Sequence, residues 1–303
     1  MSDRREGVDE RREEEPVDLR PYLCIPYWTA PLPTGEDPDV GDERPLPGNV
    51  ISWLCPGIEA SPYTPGAQLD VRVRVRNSGA GSATALATVR VYWADATTGF
   101  SKPKLLGMES VEVQPRGGYA VTETISGEIP ATASNHVCLL CVVSHSLDKA
   151  GKVADPVGDR HWAQRNLTAV AAAPGTPAIV PFLAANPLDE KASFQLSVEM
   201  LELDLLEQLA RRVGAVPADV GLKLQLLDER GAVLGEDPRA VIDLDLEAGG
   251  RRLFNVAVEP LEELGHDELA AVEAVLFANQ IERPVGSLGI IVRSPDAPPL
   301  RER

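Results

Sequence analysis

At 303 residues the chain is long enough for two domains that each bury a core without disulfide or metal support. Hydrophobic residues make up 44% of it but aromatics only 5%, so the apolar bulk is mainly Val, Leu and Ala. Lys+Arg 29 against Asp+Glu 46 gives a formal net charge of −17, which repels phosphate backbones and anionic lipid and argues against nucleic acid and membrane surfaces as partners.

Residues 1–16 carry seven acidic and four basic side chains around Val8, a mixture that reads as disordered. No apolar h-region follows Met1 and no run approaches the roughly 18 apolar residues of a membrane span, so the expected location is cytoplasmic. From Pro16 to Pro65 lie eleven of the 26 prolines, interleaved with Tyr22, Tyr27, Trp28, Trp53 and Tyr63. Helices and central strands are both disfavoured there, and residues 1–46 are expected to form an acidic, Pro-rich arm. A loose tail seldom carries tryptophans, so Tyr22, Tyr27, Trp28 and Trp53 should line a folded surface, either the chain's own or a partner's, and they are the candidate interaction residues.

Leu69, Val71, Val73 and Val75 alternate with Asp70, Arg72, Arg74 and Arg76, the signature of a half-buried strand. After the turn Asn77-Ser-Gly-Ala-Gly81, Val89, Val91 and Trp93 repeat the alternation and put Trp93 in the core. Further strands are expected at 108–114, 119–125, 136–144 and 166–171. Residues 47–171 thus read as one β-sandwich, and Ala, Gly and Pro at 172–177 as a linker. The second sandwich, 178–295, opens with strands 178–185 and 192–200. Leu203, Leu205, Leu206, Leu209 and Val213 then mark one inserted helix over 203–213. Strands resume at 221–227, 240–246, 251–258, 270–279 and 287–293, with turns at Gly249-Gly250 and Pro284-Val-Gly286 and a frayed tail at 296–303. The fold class is therefore all-β, two consecutive Ig-like sandwiches with one short helix in the second.

The piece Pro65-Gly66-x-x-Leu-Asp-Val-Arg-Val-Arg-Val-Arg-Asn77-x-Gly79, with Val89-Arg-Val-Tyr-Trp93 after it, resembles bacterial Ig-like modules of the cell-adhesion-related type. Asp159-Arg-His-Trp-Ala-Gln-Arg-Asn-Leu167 is similar to the segment that opens the final strand of such modules. The resemblance covers about residues 47–171 and implies a sandwich fold rather than a chemistry. The second block is more weakly similar to accessory sandwich domains of bacterial multidomain proteins.

Motifs for chemistry are sparse. Cys138-x-x-Cys141 sits in a strand-like run where residues three apart face opposite ways, so packing thiols, reduced, are expected in place of a metal or redox pair. Gly79-Ala-Gly81 lacks the third glycine and following helix of a phosphate loop. Ser144, His145 and Asp159 could be drawn as a triad, but neighbouring strand residues diverge. Asp37, Asp39, Asp42 and Glu43 form one dense carboxylate loop that departs from the EF-hand pattern and reads as solvated. Asp243, Asp245 and Glu247 share the solvated face of a strand.

No cofactor, metal ligand or catalytic group is assigned. The first functional reading is a non-enzymatic structural or adaptor protein that meets protein partners in a larger assembly. A second is a cargo or accessory factor exported without a signal peptide by a contractile-injection or phage-tail-like machine, binding a glycan or protein. A third is an unrecognised carboxylate-based enzyme.

Overall fold

The computed structural model describes residues 18–29, 38–166, 169–236, 238–298 and 300. Residues 1–16, Asp37 and Leu167, which carry expectations above, lie outside that set. As expected, the fold is all-β with two consecutive sandwiches and one helix.

In chain order the strands are β1 (Leu23–Cys24), β2 (Ile58–Ala60), β3 (Gln68–Asn77), β4 (Ala85–Asp95), β5 (Lys104–Val113), β6 (Gly118–Val121), β7 (Ile125–Glu128), β8 (Val137–Ser144), β9 (Trp162–Asn166) and β10 (Ala169–Ala171). Then come β11 (Ala178–Ala185), β12 (Ala192–Met200), α1 (Leu203–Val213), β13 (Val216–Pro217), β14 (Leu222–Asp228), β15 (Val233–Glu236), β16 (Arg239–Leu246), β17 (Arg251–Pro260), β18 (Glu268–Ala278) and β19 (Arg283–Arg293).

In the first sandwich β3 is the central strand of one sheet. β2 and β1 pair along one edge of it, β7 and β6 along the other. The stretch 119–125, expected as one strand, is broken at Thr122, whose backbone N–H and hydroxyl both bond Val73. The facing sheet runs β5-β4-β8-β9. The alternation read from the sequence fills the space between them: Leu69, Val71, Val73 and Val75 meet Val89, Val91, Trp93, Leu139, Cys141 and Val143 in one core.

The second sandwich pairs a sheet of order β10-β19-β18-β12-β16, with β13 against β18, and a sheet of order β11-β17-β14-β15. Phe182, Phe194 and Phe254 lie at its centre, fully buried. Helix α1 presents Leu205, Leu206, Leu209, Ala210 and Val213 to the outer side of β18 and β19, where Leu269, Ala271 and Ile291 receive them. It ends on Gly214, whose φ of 68° is the left-handed conformation that glycine adopts without steric strain.

Three expectations are corrected. The run 166–171 is not one strand: its start closes β9 in the first sandwich, whereas Ala169–Ala171 is β10, parallel to β19 in the second. Asn166 therefore belongs to the first sandwich and Ala169 to the second, and 172–177 is a turn closed by reciprocal Ala173 and Thr176 hydrogen bonds. The sequence Asn166-Leu-Thr-Ala-Val-Ala171 holds no Gly or Pro to mark a change of sheet. Pro284 lies inside β19 rather than in a turn, at a bulge opposite Phe277, where the missing N–H leaves the ladder least disturbed. Of the tail expected at 296–303, residue 299 and residues 301–303 lie outside the described residues, and the Pro298 carbonyl accepts from the guanidinium of Arg293.

The two sandwiches share a core. β8 is buried on both faces: Leu139, Cys141 and Val143 point into the first sandwich, while Cys138, Leu140 and Val142 join Ala96, Phe100 and Trp162 in the cluster that continues into the second. The loop after β4 adds main-chain bonds across the junction, Thr98 N to Leu183 O at 2.9 Å and Leu183 N to Ala96 O at 2.8 Å. Arg283 on β19 grips the Asp155 carboxylate from the first sandwich with both terminal nitrogens.

Candidate functional site

The arm is part of this chain's own core. Leu23, Ile25, Tyr27 and Trp28 pack in the first sandwich's cluster, and Tyr27 and Trp28 are only 4% and 6% exposed. The Tyr27 hydroxyl donates to Ser52 O at 2.9 Å and accepts from Gln164 N at 3.2 Å. Trp53 is 1% exposed and crosses to the second sandwich, beneath α1. Leu54 forms an antiparallel bridge with Arg165, so residues 53–55 extend the β5-β4-β8-β9 sheet past β9. Tyr22 alone among the four candidate aromatics stays half-buried, with the Arg160 guanidinium 3.7 Å above its ring. Burial and then a hydrogen bond to Asp42 push its pKa up to about 12. Rings buried in this way are closed to a partner while the arm is docked, and the alternation-free, Pro-broken sequence gave no sign of which surface they would cover.

The arm is anchored by two polar hubs. Asp39, expected in a solvated acidic loop, is 1% exposed: its carboxylate accepts from Tyr27 N at 2.8 Å and Gly41 N at 2.9 Å and pairs with Arg44 at 3.0 Å. The second hub joins Asp148, Asp159, Arg160 and His161. Asp148 accepts from Leu23 N at 2.6 Å and from Arg160 at 2.5 Å, and Arg160 O accepts from Ile25 N at 3.2 Å. His161 is enclosed by carboxylates, Nδ1 being 2.7 Å from Asp159 and Nε2 3.2 Å from Asp148. Burial pulls the His161 pKa down, but the two carboxylates outweigh it and raise it.

The remaining sequence candidates do not converge. Asp159 meets His161 and not His145, whose Nδ1 accepts from Leu147 N in its own turn, so the Ser144 triad does not form. Cys138 and Cys141 face different cores and all four cysteines are buried and unbridged. Burial pushes the thiols of Cys55 and Cys138 up to about 12, away from the thiolate that redox or metal chemistry needs. Gly79 and Gly81 admit the arm's backbone, since a Cβ on either would collide with the carbonyls of Arg20 and Leu19. Asp245 accepts from Ser193 at 2.5 Å and Glu247 pairs with Lys191 at 3.2 Å, both at the surface. Among the described residues no group of three or more His, Cys, Asp or Glu could hold a metal.

What the sequence did not reveal is a cleft of about 700 Å³ where β2, β9, β10 and the segment after β19 meet. Arg165, Asn166 and Arg293 lie in its wall, 3%, 6% and 7% exposed, beside Tyr63, Val170 and Ile291. Arg165 is held by the carbonyls of Ile58 at 2.8 Å and Cys55 at 3.4 Å. Burial first, and then the neighbouring Arg212, bring its pKa down to about 10. Arg212 itself donates to Leu54 O. Arginines on strands usually stand in solvent, which is why Arg165 and Arg293 drew no attention as sequence.

No protein-family model matches the chain, and no curated protein matches it. Solved structures that resemble it include collagen adhesin from S. aureus, 9% identical over 78% of this chain and 91% of that one, with a TM-score of 0.22. The CupB6 tip adhesin of Pseudomonas aeruginosa is 8% identical over 93% and 99%, with a TM-score of 0.24. Red sea bream transglutaminase is 12% identical over 78% of this chain with a TM-score of 0.22, and the chain spans only 31% of its length. At such identities and scores these resemblances have no bearing on function. Among the described residues no helix is long and apolar enough to cross a membrane.

Proposed function

We propose that the chain is a non-enzymatic structural or adaptor protein that acts through protein–protein contacts in a larger assembly, with its first sandwich of the cell-adhesion-related type. The observation that supports this most is the fusion of two sandwiches into one strut. A shared core, the Arg283–Asp155 pair and the Trp53 crossing all brace the junction, a construction suited to holding surfaces at fixed separation. A face for such contacts is the outer side of β4 and β5, where Leu86, Leu105 and Met108 are 60%, 55% and 53% exposed. Leu105 and Met108 are paired across the ladder with Tyr92 and Arg90. Exposed apolar side chains grouped on one sheet face are a recurrent feature of contact surfaces.

The test uses the full chain, tagged and purified gently from its native cell, with the native mass of the eluate recorded. The reading expects a stoichiometric protein partner that disappears when Leu105 and Met108 are both replaced by Lys. A lone chain, or a partner indifferent to that double substitution, would contradict it.

A further inference from the structure

A separate pocket of about 470 Å³ lies at the junction, walled by Tyr92, Phe100 and Trp162 of the first sandwich and by Leu188 of the second. The rings of Tyr92 and Trp162 meet at a centroid distance of 6.4 Å and an interplanar angle of 36°. Two polar side chains of this floor are already engaged. Trp162 Nε1 donates to Gly151 O at 3.2 Å. Asn186 Nδ2 donates to the carbonyls of Glu190, Leu246 and Glu247, and its Oδ1 accepts from Leu188 N at 2.8 Å. What the floor presents is therefore mainly hydrocarbon, in a volume typical of concave binding sites.

The rim carries charge of both signs. Lys102 and Lys152 stand on the first-sandwich side and Asp189 on the second; all three are exposed, and among the described residues none has an ion-pair partner. Lys102 has a φ of 58°, a conformation uncommon outside glycine that recurs where side chains are held for a ligand. Its stem passes Gly249 of the opposite wall, where a Cβ would stand 3.8 Å from Lys102 Cε. Attraction between exposed charges reaches only about 8 Å at physiological ionic strength, so the two lysines govern their side of the pocket in spite of the formal charge of −17. Tyr92 also belongs to the β4–β5 face: it pairs across the ladder with Leu105, so the exposed strip of Leu86, Met108 and Leu105 runs into the pocket.

We propose that this pocket receives the anchor of the partner met by the β4–β5 face: an extended segment in which a bulky apolar residue has a carboxylate on its Lys102–Lys152 side and a basic residue on its Asp189 side. The inference rests on the reading of that face as a protein contact. The apolar residue fills the aromatic floor, in keeping with interfaces whose affinity is concentrated in a few large side chains ringed by polar groups. Opposite charges on the two walls fix the direction of the segment, because the reversed orientation would set its carboxylate against Asp189 and its cation against the lysines. The braced junction holds the two walls at one separation, so the segment meets a site already formed.

The test selects random dodecapeptides, displayed between flanking sequences, on the full-length protein. Enriched peptides should carry Asp or Glu on one side of a Leu, Met, Phe or Trp and Lys or Arg on the other. The best of them, titrated against the double variant Lys102→Glu/Lys152→Glu, should bind about tenfold more weakly. A peptide with its carboxylates replaced by Lys should regain that loss on the double variant, and Asp189→Lys should weaken the original peptide severalfold. Both substitutions fall on exposed side chains, so the unfolding temperature should stay within a few degrees of the parent. No enrichment over a naive library would overturn the proposal, as would enriched peptides without this charge order or peptides indifferent to the double variant. The same double variant, purified from the native cell, separates the two readings. A partner lost with Leu105→Lys/Met108→Lys but retained at full stoichiometry with Lys102→Glu/Lys152→Glu would overturn the anchor and leave the β4–β5 contact standing, whereas a chain without any partner would overturn both.

Discussion

Gly289 on β19 lies directly against the indole of Trp53, so closely that a Cβ at position 289 would occupy the space of the ring carbons. Two residues far apart in sequence thus pack against one another across the junction of the two sandwiches. Gly289→Ala should displace Trp53 and destabilise the protein by about 1–3 kcal/mol, the usual range for overpacking a filled core. Chemical denaturation measures this directly, and an unchanged midpoint would show that the indole has room to move.

His161 and its carboxylates make arm docking pH-dependent. The raised pKa of His161 means that its stabilisation is complete below about pH 6.5 and is lost as pH rises through the folded value. For Asp148 and Asp159 burial acts to raise the pKa, but the hydrogen bonds from His161 and from backbone N–H groups, with Arg160 beside Asp148, prevail and lower it. Their contribution is present above about pH 4 and fades as pH falls through those lowered values. His161→Asn should therefore lose about 1–3 kcal/mol near pH 6 and less near pH 9. Equal losses at the two pH values would count against the imidazolium's role.

Glu273 on β18 stands opposite Glu199 on β12, beside Ser287 and Trp53. Burial foremost, and then repulsion from Glu199 and Glu202, push its pKa up to about 7. A carboxyl raised in the folded state favours folding below its unfolded value near 4.3 and loses that advantage as pH climbs through about 7. Glu273→Gln should match the parent near pH 4 and exceed its stability by about 1–3 kcal/mol near pH 8. Urea midpoints at the two pH values decide, and a parallel offset at both would refute the assignment.

Removal of residues 1–46 takes Leu23, Ile25, Tyr27 and Trp28 from the first core and the Asp39–Arg44 hub with them. Losses of about 2–5 kcal/mol per large buried side chain exceed the stability of an ordinary domain when summed. The truncated chain should show no cooperative unfolding of the first sandwich by circular dichroism. A transition at the parent temperature would mean that the arm is dispensable.

The sequence was most legible where structure is set by local period. Strands 178–185 and 192–200 and helix 203–213 coincide with β11, β12 and α1, because alternation and helical spacing are written into neighbouring residues. Legibility failed where a distant partner decides. Val233–Glu236 went unnoticed because only its pairing with β14 makes it a strand, and β1 and β2 are brief edge pairings within a Pro-rich stretch. The burial of Arg165 and Arg293 is likewise a product of two sandwiches meeting, and a single strand's pattern holds no trace of it. Trp53 was recognisable as a ring needing a surface, but the identity of that surface lies at Gly289, more than two hundred residues away.

The central claim is that arm and sandwiches are one unit, and differential scanning calorimetry of the intact chain tests it most directly. A single transition with equal calorimetric and van't Hoff enthalpies is expected, moving as a whole to lower temperature in Trp53→Ala. Two separable transitions in the parent protein, with Trp53→Ala shifting only one, would show instead that the sandwiches are independent modules lying side by side.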